Sequence, residues 1–297
     1  MSFTRVMWSF AGLPGIHLDK EEEVDLGSGF TLVKPTEAIL AARDRALMSG
    51  EEYEEAGRCG WYLVFKAVPK TDQPVGDCAE LQNGLTSFQI IKPTRALGWM
   101  FLCEQWKEGP FLSLKTTERR PSMECGRWAG MRGFDGELLS QVPSMILRVR
   151  QTMGAASAEH KNAIILLQLA LEHMHPLIAG LLHVMGMEAI FDSGTRFDFR
   201  NKLCDCLGAS TLVFPDWNSS VWPQPKHTVD ELAIPIYMLR SKLAHGADLR
   251  KAAVDKTTPV DLVKKVELIP ELEPQAHAFL LAEAASYLHC QVLQKVL

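Results

Sequence analysis

The sequence lacks several features that would place it in a common functional class. It has no basic excess, because 31 Lys and Arg stand against 36 Asp and Glu and give a formal net charge of -5. Nucleic-acid-binding chains often carry such an excess, so any contact with nucleic acid must come from a local cluster of charges. The N-terminal half also contains no phosphate-binding loop and no dinucleotide-binding fingerprint.

Cysteine pairing is missing as well. The seven cysteines are dispersed, none forms a C-x-x-C pair, and Cys204 and Cys206 are too close along a helix to bridge easily. An odd, scattered set predicts reduced thiols and a cytoplasmic protein. Residues 1–15 lack the basic and apolar regions of a secretory signal peptide, which agrees with that prediction.

Long apolar runs without polar residues are also missing. The longest apolar stretch, 163–191, is interrupted by Glu172, Pro176 and three histidines. It therefore predicts a buried helix or helix pair, and we expect no membrane span. Since His173 and His175 do not share a helix face, we interpret them and His183 as core or surface residues. No metal site or cofactor is expected.

The 297 residues are enough for two domains with separate cores. We predict an α+β fold, with a β-rich domain over residues 1–148 that has one helix, and an all-α domain over residues 149–297. The expected helix is Glu37–Met48, capped by Thr36. The strand candidates are short runs rich in β-branched and aromatic residues, namely Phe30–Val33, Trp61–Val68, Ser87–Ile91, Trp99–Cys103 and Phe111–Lys115.

A basic stretch lies between these strands and the helical half. It contains Arg119, Arg120, Arg127 and Arg132. We interpret it as a solvated loop, and a contact surface for RNA or a partner is the alternative.

An apolar stripe predicts the first helices of the C-terminal half. Apolar residues recur at positions 164, 167, 171, 174, 178, 181 and 185, which is the spacing of a helix face. The stripe keeps its phase across Pro176, so we expect a kinked helix or two nearly coaxial ones. The next position of the stripe is Glu188. A carboxylate there should be nearly buried and should need a partner, and an arginine from another helix is the natural candidate.

Further helices are predicted by their end signals. Arg196–Leu207 ends before Gly208. Thr228 and Glu231 have the spacing of a capping box at the start of a helix that should stop at Gly246. A last helix is expected over Pro274–Val296.

Arg240 and His245 stand near the predicted end of the helix that Thr228 begins. They are five residues apart, about 140° around an ideal helix, so they flank one groove. An imidazole can change charge near neutral pH and suits proton transfer, and a guanidinium suits a phosphate and its developing charge. The alternatives are that His245 only caps the helix and that Arg240 pairs with Glu188 in the core.

The string Arg240-Ser241-Lys242-Leu243-Ala244-His245-Gly246 resembles the R-x4–6-H signature of the HEPN superfamily, and most closely its ApeA-like branch. Met187-Glu188-Ala189-Ile190-Phe191 is similar to the Leu-Glu-Ala-Leu motif that ends an earlier helix in that branch. The order of helices and the long final helix are also similar. The resemblance covers about residues 150–297.

The resemblance implies a metal-independent ribonuclease of bacterial defence or stress. His245 would act as general base or acid, and Arg240 would hold the scissile phosphate. Ser241 and Lys242 would add phosphate contacts in a cleft shared by two protomers, and the β-rich domain would sense or regulate. The alternative is a non-catalytic HEPN module that binds RNA, a nucleotide or a protein partner, since many active members have Asn, Asp or His where this chain has Ser241. A third possibility is a toxin-like regulator held inactive by a partner or by its own N-terminal domain.

Overall fold

The chain forms two compact units in the computed structural model. One consists of Met1–Pro121 and Gly133–Arg150, and the other of Ser122–Arg132 and Gln151–Leu297. The first contains an antiparallel sheet and the second is helical, so the fold is α+β as predicted. The residues that the structure describes are 5–13, 16, 18, 23–37, 39–40, 59–67, 78–92, 100–106, 112–117, 136–155, 157–172, 175–214, 227–245 and 275–297.

The first unit holds a six-stranded antiparallel sheet in the order β2-β3-β4-β1-β5-β6. Four strands lie where the sequence predicts them, whereas β1 and β2 are not predicted. The reason is composition, because β1 includes Ala11 and Gly12 and β2 includes two acidic residues, all poor strand formers. The strands are β1 Arg5–Leu13, β2 Glu23–Gly27, β3 Phe30–Val33, β4 Trp61–Ala67, β5 Met100–Trp106 and β6 Leu112–Thr117.

Helix α1, Cys78–Ile91, packs on this sheet, and the prediction of a strand at Ser87–Ile91 is wrong. The buried hydroxyl of Ser87 donates to the carbonyl oxygen of Asn83 at 2.8 Å. The helix therefore provides the hydrogen-bond acceptor for this buried group, whereas in a strand another element would have to provide it. Gly84 lets the helix approach closely, because a Cβ there would lie 2.6 Å from Cε1 of Phe30. The β-branched residues that suggest a strand therefore serve a helix–sheet contact.

The one helix predicted for this unit begins as expected. Thr36 Oγ1 accepts a hydrogen bond from the backbone N–H of Ile39 at 3.3 Å, and the N–H of Leu40 donates to the Thr36 carbonyl at 2.9 Å. Residues 38 and 41–48 of this predicted helix lie outside the described residues, as does the basic stretch 119–132. Since α1 is also present, the expectation of one helix in this half is wrong.

The helical elements continue from α2 Gly136–Leu139 and α3 Val142–Ala155, which lead into the second unit. Helix α5 packs against α4, and α8 packs against α5 and α7. Their core is apolar and includes the fully buried Phe199 and Leu288. The remaining helices are α4 Ala158–Glu172, α5 Pro176–Phe191, α6 Arg196–Leu207, α7 Val229–Ala244 and α8 Gln275–Val296.

The break at Pro176 is sharper than the sequence predicts. Helices α4 and α5 pack against one another rather than continuing as one kinked or coaxial rod, so that prediction is wrong. The proline starts a new helix, and beyond it the apolar stripe no longer marks the buried face. Ile178 and Met185 of the stripe are exposed, while the buried face of α5 includes Leu177 and Val184.

Within the described ranges, no single helix is long and apolar enough to cross a membrane. Leu177–Phe191 and Arg196–Leu207 pass that test only as a pair, and they are bent by 77°.

Candidate active site

Helix α7 places the R-x4-H motif at its C-terminal end. The predicted capping box fixes its start, because Thr228 Oγ1 accepts from the N–H of Glu231 at 3.4 Å and Glu231 Oε2 accepts from the N–H of Thr228 at 2.8 Å. The helix continues through the buried Pro235 and ends at Ala244. Arg240, Ser241 and Lys242 therefore occupy its last turns, and all three side chains are partly exposed.

The structure brings Arg240 together with Glu188, which lies in the last turn of α5. Arg240 Nε is 2.9 Å from Glu188 Oε2, and the two side chains are 30% and 13% exposed. The Nε–H is not well aligned with a hydrogen-bond acceptor, so the contact is mainly an attraction between charges. The guanidinium carbon also lies 5.7 Å from the ring centroid of Tyr237. The pairing expected from the sequence is present, and it holds Arg240 from two sides.

Burial has the largest effect on the pKa of Glu188 in this ion pair. It raises the pKa of the Glu188 carboxyl above its ordinary value, and the positive charge of Arg240 lowers it by less. The free-energy cost of removing the carboxylate from water thus exceeds the stabilisation by its partner, which is common for partly buried pairs. The pair is therefore a weak contributor to stability. Its clearest consequence is the fixed position of the Arg240 guanidinium.

His245 caps α7 and keeps its side chain exposed. Its backbone N–H donates to the carbonyl oxygen of Ser241 at 3.2 Å, which ends the helix at the predicted position. The backbone of His245 thus caps the helix, as one of the alternatives expected. The residue is exposed, so its imidazole is accessible to solvent. Gly246, the last residue of the string, lies outside the described residues.

Sequence reasoning missed a neighbouring pair at the start of α6. The ring of Phe197 is 55% exposed, and the Arg196 guanidinium carbon lies 4.9 Å from its centroid. Arg196 Nη1 also lies 3.8 Å from Met238 Sδ on α7. The signal in the sequence was an arginine followed by an aromatic residue directly after the Thr195 cap, but such dipeptides are common.

A second polar cluster is buried where α5 packs on α8. His183 Nδ1 and His289 Nδ1 are 3.2 Å apart, and both side chains are enclosed. Burial lowers the pKa of His183 to about 3 and that of His289 well below its ordinary value. Both rings are therefore neutral near pH 7. The core position of His183 agrees with its interpretation as a core or surface residue, and nothing in the sequence indicated its partner.

The tautomers of this pair follow from hydrogen-bond chemistry. A contact between two Nδ1 atoms needs one N–H and one lone pair, so one ring carries its proton on Nδ1 and the other on Nε2. His289 Nε2 is buried and has no hydrogen-bond partner within the described part of the chain. Unpaired buried N–H groups are rarer in proteins than unpaired buried acceptors. We therefore assign His289 as the Nδ1–H donor.

The thiols of the helical unit show no sign of reactivity. Cys204 Sγ lies 3.5 Å from Asp230 Oδ1, and burial raises the pKa of this thiol to about 11, so it is protonated at neutral pH. Arg200 Nη2 binds the same Asp230 carboxylate at 2.6 Å.

No group of three or more His, Cys, Asp and Glu among the described residues is arranged to hold a metal ion.

Comparison with protein families, with curated proteins and with solved structures gives no match for this chain.

Proposed function

We propose that this chain is a cytoplasmic, metal-independent endoribonuclease of the HEPN type. Its C-terminal half would form the HEPN helical bundle and a homodimer, and its role would lie in bacterial defence or stress. The β-rich N-terminal half would sense a signal or regulate the site. The resemblance of residues 240–246 to the R-x4–6-H signature is the source of this proposal.

One observation supports it above the others. The end of α7 presents a half-buried guanidinium held by Glu188, followed by an exposed imidazole on His245. A held cation and an exposed proton carrier are the two kinds of group that cleavage of a phosphodiester uses. Arg240 remains 30% exposed, so it can still reach a phosphate.

The proposed reaction uses the ribose 2′-hydroxyl as nucleophile. His245 takes the proton of that hydroxyl, its oxygen bonds to phosphorus, and the bond from phosphorus to the 5′-oxygen breaks. The histidine of the second protomer returns a proton to the departing oxygen. The products are a 2′,3′-cyclic phosphate and a 5′-hydroxyl. Arg240 binds the phosphate oxygens as their negative charge grows, and Ser241 and Lys242 add contacts to neighbouring phosphates.

The alternative, a non-catalytic module that binds RNA, a nucleotide or a protein, also has an observation in its favour. Glu188 already occupies the Nε side of Arg240, which leaves only the outer guanidinium nitrogens for a ligand. That arrangement suits binding without cleavage as well as with it. The two functions differ in whether His245 is needed for a covalent change in the RNA.

The test is cleavage of total RNA by the purified full-length chain in excess EDTA. We expect fragments with 5′-hydroxyl and cyclic phosphate ends, and a fall of at least a hundredfold in rate for His245→Ala and for Arg240→Ala. Arg200→Ala is the matched control, because that arginine is on α6 and pairs with Asp230 instead. RNA that is bound tightly but left intact would favour the non-catalytic module.

A further inference from the structure

We propose that Arg196 and Phe197 form a stacking subsite for one unpaired nucleobase of the RNA substrate. This inference rests on the proposed function, and it names the part of the substrate that the site recognises beside the scissile phosphate. Four observations carry it: the exposed ring, the stacked cation, the absence of a competing carboxylate and the shared face with His245.

The Phe197 ring is exposed although it is large and apolar. It is 55% exposed, more than any other large apolar side chain among the described residues. Phe199, two residues along the same helix, is fully buried. Helix α6 therefore already has its core anchor. The Phe197 ring therefore lies outside the core, and its exposed surface is available to a ligand.

Arg196 lies over one face of this ring. Its guanidinium carbon lies 4.9 Å from the Phe197 centroid, within the range of a cation–π contact, and Met238 Sδ lies 3.8 Å from Nη1. Two contacts thus hold the guanidinium over the ring. Aromatic rings and guanidinium planes are the groups on which proteins stack unpaired bases of RNA, and the positive charge suits the adjoining phosphate.

Among the described residues, no neighbouring carboxylate neutralises the charge of Arg196. The nearby cations Arg200, Lys202 and Arg240 pair with Asp230, Asp198 and Glu188 respectively. No carboxylate pairs with Arg196 within the part of the chain that the structure describes. An anionic ligand therefore meets this arginine without displacing a carboxylate.

Helix α7 connects the subsite to the proposed catalytic histidine. Met238, which Arg196 contacts, precedes His245 by seven residues, so the two lie within about 20° of each other around the helix and about 10 Å apart along it. Lys242 lies between them on the same face. Helices α6 and α7 are antiparallel, since Arg200 contacts Asp230 while Arg196 contacts Met238. A strand of RNA along this face would meet Phe197 within one or two nucleotides of His245.

The subsite predicts sensitivity to one missing base. Short single-stranded RNAs, each with an abasic nucleotide at a different position, are titrated against the full-length chain carrying His245→Ala, which keeps the RNA intact. We expect one abasic position near the cleavage point to weaken binding roughly tenfold. Adding Phe197→Ala should weaken binding of the unmodified RNA by a similar factor and remove the sensitivity at that position alone. Phe197→Trp should keep it.

Leu169→Ala is the matched control, because Leu169 is an exposed apolar residue on α4, and it should leave binding unchanged. If the chain cleaves RNA but Phe197→Ala binds every RNA as before, the subsite is refuted while the proposed function stands. A dimer that becomes a monomer on Phe197→Ala, seen by sedimentation, would make the ring a protomer contact and also refute it. A folded chain that neither binds nor cleaves RNA would refute both proposals.

Discussion

Helix α5 carries two polar clusters that differ in almost every physical respect. His183 pairs with His289 in a fully enclosed position and both rings are neutral, whereas Glu188 pairs with Arg240 at the helix end and the arginine keeps 30% of its side chain exposed. The first cluster is therefore inaccessible to solvent and to any substrate. The second is accessible to both.

The difference shows how burial separates a structural polar pair from a candidate functional one. Enclosing two imidazoles removes their charge and makes them part of the packing between α5 and α8. Partial burial of Glu188 raises its pKa but leaves its charged partner accessible. Residues on one helix thus acquire opposite roles through their distance from water. Four expected results test this contrast.

Acid should destabilise the helical unit through the histidine pair. In the unfolded chain each histidine takes a proton near pH 6.5, whereas in the folded chain the pKa of His183 is about 3 and that of His289 is well below 6.5. The unfolded state therefore binds more protons between pH 6.5 and 3, and the free energy of unfolding falls as the pH falls through that window. Above pH 7 the pair has no such effect. We expect a loss of several kcal/mol between pH 7 and 4.

Urea unfolding followed by circular dichroism measures this loss. His183→Gln is the matched variant, because it cannot titrate and should show a shallower dependence on pH. If wild type and variant lost stability in parallel, the carboxylates rather than the imidazoles would control acid unfolding.

A side chain at Gly186 should disrupt the same cluster by overpacking. A Cβ there would lie far inside contact distance of the His289 imidazole, in a fully buried position. Gly186→Ala should therefore cost about 1–3 kcal/mol of unfolding free energy, measured in urea at pH 7. In contrast, Gly154→Ala in α3 meets no atom within 4 Å and should be neutral or stabilise by about 0.5–1 kcal/mol. Equal effects of the two changes would contradict the packing of α5 on α8.

Glu188→Gln should have the smallest effect on stability and a clear effect on function. The pair is partly exposed and burial opposes it, so the unfolding free energy should change by less than about 1 kcal/mol. Cleavage should fall roughly tenfold to a hundredfold, because Arg240 loses its orienting partner. Rates and urea midpoints measured on one preparation separate the two quantities. A large loss of stability with no change in cleavage would make the pair structural.

The sequence predicted features that depend on near neighbours. The capping box of Thr228 and Glu231 and the bounds of Arg196–Leu207 agree with the structure, because these signals act within a few residues. The Glu188–Arg240 pair could also be predicted, since a carboxylate expected beside a core needs a cation.

Features that depend on tertiary contacts could not be predicted. The run Ser87–Ile91 is helical because α1 packs on a sheet that includes the unpredicted β1. His289 becomes half of a buried pair only because α8 crosses α5 at His183. Phe197 stays exposed because Phe199 fills the core, and residue type alone does not distinguish the two positions.

The most direct test of the central claim is the single-turnover cleavage rate of the full-length chain and of His245→Ala in excess EDTA. His245 is exposed and lies outside the core, so the variant should keep the urea midpoint of the wild type. We predict that its cleavage rate falls at least a hundredfold and that the wild-type fragments end in a 2′,3′-cyclic phosphate. Unchanged cleavage in His245→Ala, or no cleavage by the folded wild type of any RNA tested, would contradict an active site at the end of α7.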